Sequence, residues 1–283
     1  MTTRRPARPF LKWAGGKTQL LDPIGRSLPA RIERTYYEPF LGSGAVFFRL
    51  RAEGRLEGNV VLSDANEPLV EAWTAVQGSV DGLIDRLAAH RDAHARKGRD
   101  HYYAVRAFVP GNALDRAARF LYLNKTCYNG LWRVNGSGRF NVPMGRYVRP
   151  PILDEDNLRA ASSALRGVRI LPSSWDRALA RARSGSVVYL DPPYEPLTAT
   201  ANFTSYTAAG FGREDQEALA DACARLRDGG IRFLLSNHDV PWLRGLYRER
   251  GFRCRKVPAR RSINSKPGAR GSVGELLVDA ATP

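Results

Sequence analysis

Two short β-prone runs with one helical stretch between them, Tyr36–Phe40, Ala45–Ala52 and Val60–Leu62, leave few folds open. Strands joined through a helix pair side by side in a parallel sheet, because such a connection is a crossover and not a hairpin. The alternation returns late in the chain. Strands are predicted at Val187–Leu190, Arg232–Ser236, Phe252–Val257 and Glu275–Ala280, with helices at Glu214–Leu226 and Trp242–Arg250. The middle is different. Apolar residues spaced by three and four predict helices over Leu69–Val76, Val80–Ala95, Tyr102–Phe108 and Leu114–Leu123. Leu131–Val134 and Arg139–Val142, split by Asn135-Gly136-Ser137-Gly138, predict a hairpin. The expected fold is α/β, with a mostly helical block carrying a β-hairpin inserted into the sheet domain. The sheet domain is expected from 1–66 and 154–283, the insert from 67–153.

Charge points to a partner. Forty-four basic residues against 28 acidic leave a net charge of +16. Such a surplus suits a polyanion, although an arginine-biased coding background would produce the same count. The longest apolar runs are a handful of residues, far short of the roughly 20 that span a bilayer. No apolar stretch of signal-peptide length follows the basic Met1–Pro9, so a cytoplasmic protein is expected. Cys127, Cys223 and Cys254 lack C-x-x-C spacing; they read as reduced, mostly buried thiols, with neither a zinc site nor a disulfide frame.

Asp191-Pro192-Pro193-Tyr194 follows the apolar run Val187–Leu190. A strand there delivers the carboxylate to the carboxyl edge of the sheet, where open α/β folds bind ligands. The prolines stiffen the turn and deny it helical structure. A carboxylate, a backbone carbonyl and an aromatic ring on one rigid turn suit an exocyclic amine on a flat base. The bland alternative is an ordinary Asp-Pro turn. Phe40-Leu41-Gly42-Ser43-Gly44 lies between the first strand and a helix, and glycine lets backbone approach a ligand. Position 47 is Phe, so the third glycine of a dinucleotide fingerprint is missing. Asp64, 22 residues after Gly42, stands where an acid holds ribose hydroxyls, which suggests a nucleoside cofactor without a pyrophosphate. Gly16-Lys17-Thr18 is no phosphate loop, because position 11 is Leu. His90 and His94 lack the glutamate of a zinc-protease pattern and read as residues on a solvated helix face; His238 has no evident role. Between Asn124 and Tyr147, cations and rings alternate: Lys125, Tyr128, Trp132, Arg133, Arg139, Phe140, Arg146 and Tyr147. That mixture suits phosphates and base edges; the alternative is an amphipathic hairpin with its aromatics inside.

Four segments carry a resemblance: Phe10-Leu11-Lys12-Trp13-Ala14-Gly15-Gly16-Lys17, Glu38-Pro39-Phe40-Leu41-Gly42-Ser43-Gly44, Asp64, and Asp191-Pro192-Pro193-Tyr194. In this order they resemble the DNA adenine N6-methyltransferases of the Dam family, D12 class. Leu121–Tyr147, Pro196–Thr204, Ser236-Asn237-His238-Asp239 and Arg260-Arg261-Ser262-Ile263 extend the likeness over nearly the whole chain. The resemblance implies a Rossmann-like, S-adenosylmethionine-dependent enzyme that methylates N6 of a flipped adenine in double-stranded DNA, within GATC. It implies that Trp13, Lys17, Phe40, Gly42, Asp64 and Asp191 bind S-adenosylmethionine and that Asp191, Pro192 and Tyr194 form the catalytic motif. It implies further that Lys12, Tyr128, Asn129, Leu131, Arg133, Pro143 and Tyr147 contact DNA, with no metal, no membrane and no obligate protein partner, in a monomer. Serine at position 191 would point to cytosine N4 and asparagine to a protein glutamine; aspartate disfavours both. Trp132 stands where many relatives have a smaller residue, and Lys266-Pro267-Gly268 departs from the usual serine- and glycine-rich loop.

Overall fold

The computed structural model describes residues 5–13, 15, 17–194, 211–260 and 272–280. Seven strands form one sheet: β1 (Tyr36–Glu38), β2 (Val60–Asp64), β3 (Arg169–Pro172), β4 (Val187–Leu190), β5 (Arg232–His238), β6 (Phe252–Arg260) and β7 (Ser272–Ala280). Their order is β3-β2-β1-β4-β5-β7-β6. The first five run parallel, and β7 runs antiparallel to β5 and β6. Chain order reverses between β1 and β4, so their connections leave to opposite sides and open a crevice at the carboxyl edge. This is the α/β fold that the alternation predicts, with the Rossmann-like sheet that the resemblance implies.

Period-two alternation assigns each face. Tyr36, Val60, Leu62, Val187, Tyr189, Leu234 and Leu277 join one apolar cluster; Tyr37, Val61, Val188, Leu190, Phe233, Leu235 and Val278 join another. Both faces are covered, which is why the central strands read as unbroken apolar runs. On the first face lie α1 (Leu21–Ser27), α2 (Ala45–Ala52) and α3 (Glu67–Gly78), continued by α4 (Val80–Lys97), α5 (Arg99–Ala107) and α6 (Ala113–Thr126). On the second lie α8 (Trp175–Leu179), α9 (Arg213–Asp228) and α10 (Pro241–Arg248). The first cluster runs without a break from the sheet through Leu83, Tyr102 and Phe120 to Trp132 and Phe140.

The sequence misses α1, α7 (Glu155–Ala164), β3 and α8. Of these, β3 is an edge strand, partly exposed and closed by Pro172. It shows neither an apolar run nor a clean alternation. The hairpin is present but narrow, a single bridge between Val134 and Phe140 flanked by Asn141 N–Arg133 O at 3.1 Å and Asn135 N–Arg139 O at 2.9 Å. In its turn the left-handed residue is Gly138, at φ 72°.

Candidate active site

β1 and β2 end in Glu38 and Asp64, and Asp191 follows β4. Glu38 is buried and accepts the Tyr36 hydroxyl at 2.8 Å; burial, with Asp191 adding to it, pushes its carboxyl up to about 8. Asp64 accepts Gly42 N–H at 3.1 Å and Asn66 N–H at 3.0 Å, one on each oxygen. Burial nevertheless pushes it up to about 6. Gly42 is left-handed at φ 46°, and a Cβ there would come within 2.8 Å of the Trp13 ring. So the loop, Asp64 and Trp13 meet in one place. Trp73, buried and unremarked in the sequence, donates to Gly42 O at 3.2 Å and bars a side chain at Gly44. Phe40 packs against the second face, its ring edge-on to Phe211 at 5.9 Å.

Around Asp191 every contact is short. Lys17 Nζ lies 2.7 Å from its Oδ1 and donates to Gly15 O at 2.6 Å. Ser236 Oγ donates to the same Oδ1 at 3.0 Å and lies 2.8 Å from the Tyr189 hydroxyl. Burial raises the proton affinity of Asp191, while Lys17 and Ser236 oppose that shift. The Lys17 ammonium also sits 4.3 Å from the centre of the Tyr194 ring. Tyr194 donates to Glu275 at 2.6 Å, and His238 meets its ring edge-to-face at 4.4 Å, so the residue assigned no role borders the site. Pro193 O accepts from buried Gln216 Nε2 at 3.1 Å; Gln216 Oε1 accepts from buried Asn237 Nδ2 at 3.1 Å. Gln216 and Glu275 escape sequence reasoning, because α9 and β7 supply them from far along the chain.

A second group gathers at the end of α6. Buried Asn124 accepts Lys12 N–H at 2.8 Å and donates to Lys12 O at 2.6 Å and Gly130 O at 3.2 Å. Lys12 Nζ lies 3.8 Å from the Tyr147 ring. Tyr128 and Asn129 are exposed, and Asn129 has φ 54°, a conformation rare outside glycine. Tyr128 N–H donates to O of exposed Pro143 at 2.9 Å, and Leu131 is half-buried beside it. Arg133 Nε donates across the hairpin to Asn141 Oδ1 at 2.8 Å. Trp132 and Phe140 are buried, with Trp132 4.2 Å from Phe120 and 4.7 Å from Phe140. For those two rings the amphipathic reading holds, and the departure at Trp132 anchors the hairpin instead of reaching outward. Lys125 turns inward as well, and burial pushes its ammonium down to about 8.

The histidine reading needs correction. His90 and His94 are half-buried: His90 Nδ1 lies 3.1 Å from His101 Nε2, its ring stacks on Tyr122 at 4.8 Å, and His94 Nδ1 lies 2.7 Å from the Tyr122 hydroxyl. The spacing of four puts both on the α6 side of α4, where burial pushes His90 down to about 4. Cys127 and Cys223 are buried and Cys254 half-buried, all as free thiols. No group of three or more His, Cys, Asp or Glu among the described residues is arranged for a metal ion. No described helix is long and apolar enough to cross a membrane. Ala14, Gly16, Pro196–Thr204, Arg261–Ile263 and Lys266–Gly268 lie outside the described residues.

Residues 13–263 match the model of the D12 class N6 adenine-specific DNA methyltransferases. The type II methyltransferase M.MjaIII of Methanocaldococcus jannaschii is 42% identical over 286 residues, 96% of this chain and 98% of that protein. The DNA adenine methylase of Escherichia coli is 39% identical over 272 residues, 95% of this chain and 94% of its own length. That of Haemophilus influenzae is 36% identical over 273 residues, 95% and 92% respectively. The solved rRNA methyltransferase aviRa from Streptomyces viridochromogenes aligns over 99% of this chain and 88% of its own, at 18% identity and a TM-score of 0.35, too remote to speak for this fold.

Proposed function

The chain belongs to the D12 class of N6 adenine-specific DNA methyltransferases, and from that premise we propose that it methylates N6 of an adenine flipped out of duplex DNA, within GATC. The observation that carries the reading is the convergence of the Asp191 carboxylate and the Tyr194 ring on one ammonium, at 2.7 and 4.3 Å. A carboxylate that accepts N–H, beside an aromatic face, is what a planar base bearing an exocyclic amine requires.

The residues fit S-adenosylmethionine. Each Asp64 oxygen accepts one backbone N–H and keeps a lone pair for a ribose hydroxyl. The positive φ at Gly42 holds the loop against Trp13 with no room for a side chain. Lys17 adds a buried cation beside Asp191. When bound, the cofactor supplies an electrophilic methyl on a sulfonium.

The chain's own residues do the rest. The adenine amine is a poor nucleophile because its lone pair is delocalised into the ring. Asp191 and Pro192 O accept its two N–H bonds and direct the lone pair outward. The proton affinity of half-buried Asp191, raised by its partial desolvation, strengthens that hydrogen bond as positive charge develops on nitrogen. Tyr194 stacks on the base and recovers part of a flipping cost of about a few kcal/mol. Residues 67–153 act as the target-recognition part, with Lys12, Tyr128, Asn129, Leu131, Arg133, Pro143 and Tyr147 facing DNA, and 1–66 with 154–283 as the catalytic part. The enzyme works as a cytoplasmic monomer without metal. The test is expression in a methylation-free host followed by mapping of modified adenines. Methyl groups confined to GATC are expected; modification at another sequence, or at cytosine, overturns the assignment.

A further inference from the structure

Arginines crowd the amino edge of the sheet, the edge opposite the candidate site. Arg34 precedes β1, Arg166 and Arg169 precede and open β3, Arg181 and Arg183 precede β4, and Arg232 opens β5. All six are exposed. The turns that carry them are stitched together: Val187 N–H donates to Thr35 O at 2.9 Å, Gly185 N–H to Gly230 O at 3.1 Å, and Arg232 N–H to Ser186 O at 3.1 Å. Register puts Arg169 level with Val61 on β2, and Val61 level with Tyr37 on β1. From β3 to β5 the row crosses four strand gaps, about 19 Å at roughly 4.8 Å each.

None of the six forms an ion pair with a described carboxylate, and the Arg183 guanidinium bonds only the backbone oxygens of Ala180 and Ala182. Arginines nearby do pair: Arg31 with Glu57, Arg227 with Asp228 and Arg250 with Asp221. Of the acids at this edge, Glu33 is exposed beside Arg31. The edge therefore keeps a surplus of unneutralised guanidinium groups, which are suited to phosphate oxygens. β2 and β4, of five and four residues, put it roughly 13 Å or more from Asp64 and Asp191, at the end of the sheet opposite the candidate site.

We propose that this edge is a second, sequence-independent docking surface for the phosphate backbone of duplex DNA, so that one chain bridges two DNA segments. Duplex DNA fits better than its rivals. The exposed large apolar residues among those described, Phe108, Val109, Tyr128 and Val148, all lie in the insert and hairpin. Among the described residues, the arginine edge has no exposed ring to stack on unpaired bases and no large exposed apolar side chain to enter a bilayer.

The experiment measures energy transfer between donor- and acceptor-labelled duplexes that lack GATC, without cofactor, at equimolar protein and low salt. Its outcome is thus independent of the reading of the catalytic site. The variant combines Arg34→Gln, Arg169→Gln, Arg181→Gln, Arg183→Gln and Arg232→Gln, with melting checked. Wild type should bring the two duplexes together, and the variant should lose that signal. Methylation of a short duplex carrying the target should stay within about twofold, while kcat/KM on plasmid DNA falls about threefold or more. Absence of bridging by wild type, or equal bridging by the variant, overturns the proposal. So does wild-type binding to phosphatidylserine vesicles that the variant loses in the absence of DNA bridging, which would assign the edge to a lipid surface.

Discussion

Asp191 sits between an ammonium and a hydroxyl in a half-closed crevice, and its removal acts on both chemistry and stability. Asp191→Ala should lower single-turnover methyl transfer by orders of magnitude while leaving non-specific DNA affinity nearly intact, since that affinity resides in arginines and lysines. It should also lower the melting temperature, because the nearly buried Lys17 is left without its carboxylate. Label transfer and thermal melting check the two effects; near-normal methylation would remove Asp191 from the mechanism. Asp64 predicts a pH dependence. Its carboxyl is raised to about 6 in the fold from 3.8. Below the lower value it is protonated in both states; between the two, the fold holds a proton that the unfolded chain has released. Its contribution to stability is therefore largest in acid and is lost as pH rises through about 6. Cofactor affinity has the opposite sign, because the ionised carboxylate is the better acceptor for ribose hydroxyls. Titration calorimetry should show affinity for S-adenosylmethionine weakening as pH falls below about 6, with Asp64→Asn weaker throughout and flat over that range.

At the scale of elements, the hairpin and the turn after β4 are held by different devices. Asn135 accepts from Ser137 N–H, Ser137 Oγ and Arg139 N–H, and left-handed Gly138 closes the loop as a bulged turn. Trp132 and Phe140 pin its base. Arg133 is thus presented from a rigid ribbon with Nε already tied to Asn141, leaving its terminal nitrogens for a bidentate grip on guanine. Arg133→Ala should relax sequence choice by about 1–3 kcal/mol, and Arg133→Lys should recover affinity without selectivity. The measurement is kcat/KM on cognate duplexes against duplexes altered at one base pair, at fixed salt. An equal loss on both would make the contact one to phosphate. In the turn after β4, the two proline rings fix their own φ and restrict the residue before each, so ψ of Pro193 is the least constrained of the proline torsions leading to Tyr194. Gln216 holds the Pro193 carbonyl, and with it that torsion. Gln216→Leu should reduce kcat about tenfold or more with little change in KM for either substrate. Gln216→Glu should regain activity as pH falls, when the protonated carboxyl can donate to Pro193 O. A pH profile identical to wild type would argue that Gln216 only fills space.

Over the whole molecule, charge and topology act together. If DNA lies against the hairpin face, four or more phosphate contacts should make log Kobs fall with log salt at a slope of about −4 or steeper, measurable by fluorescence anisotropy. A slope near zero would show that the net charge of +16 takes no part in binding. The parallel sheet was legible because each central strand is buried on both faces, and local runs such as Val187–Leu190 record that burial. The edge strand β3 and α7 were not, since their apolar positions are set by neighbours far away in the chain. In the site, the sequence by itself determined the residues whose roles are local: the glycines at 42 and 44, the acid that ends a strand, the rigid Asp-Pro-Pro-Tyr turn. It misjudged His90 and His94, and gave no hint that His238 packs against Tyr194, because a side chain's partners are chosen by packing and not by spacing. Only the tertiary structure decided that Lys17 meets Asp191, that Glu275 from the last strand holds the Tyr194 hydroxyl, and that Gln216, itself held by Asn237, holds the Pro193 carbonyl. Those contacts join segments from about twenty to more than 150 residues apart. The order of strands brings them to one edge, and no local pattern encodes that order.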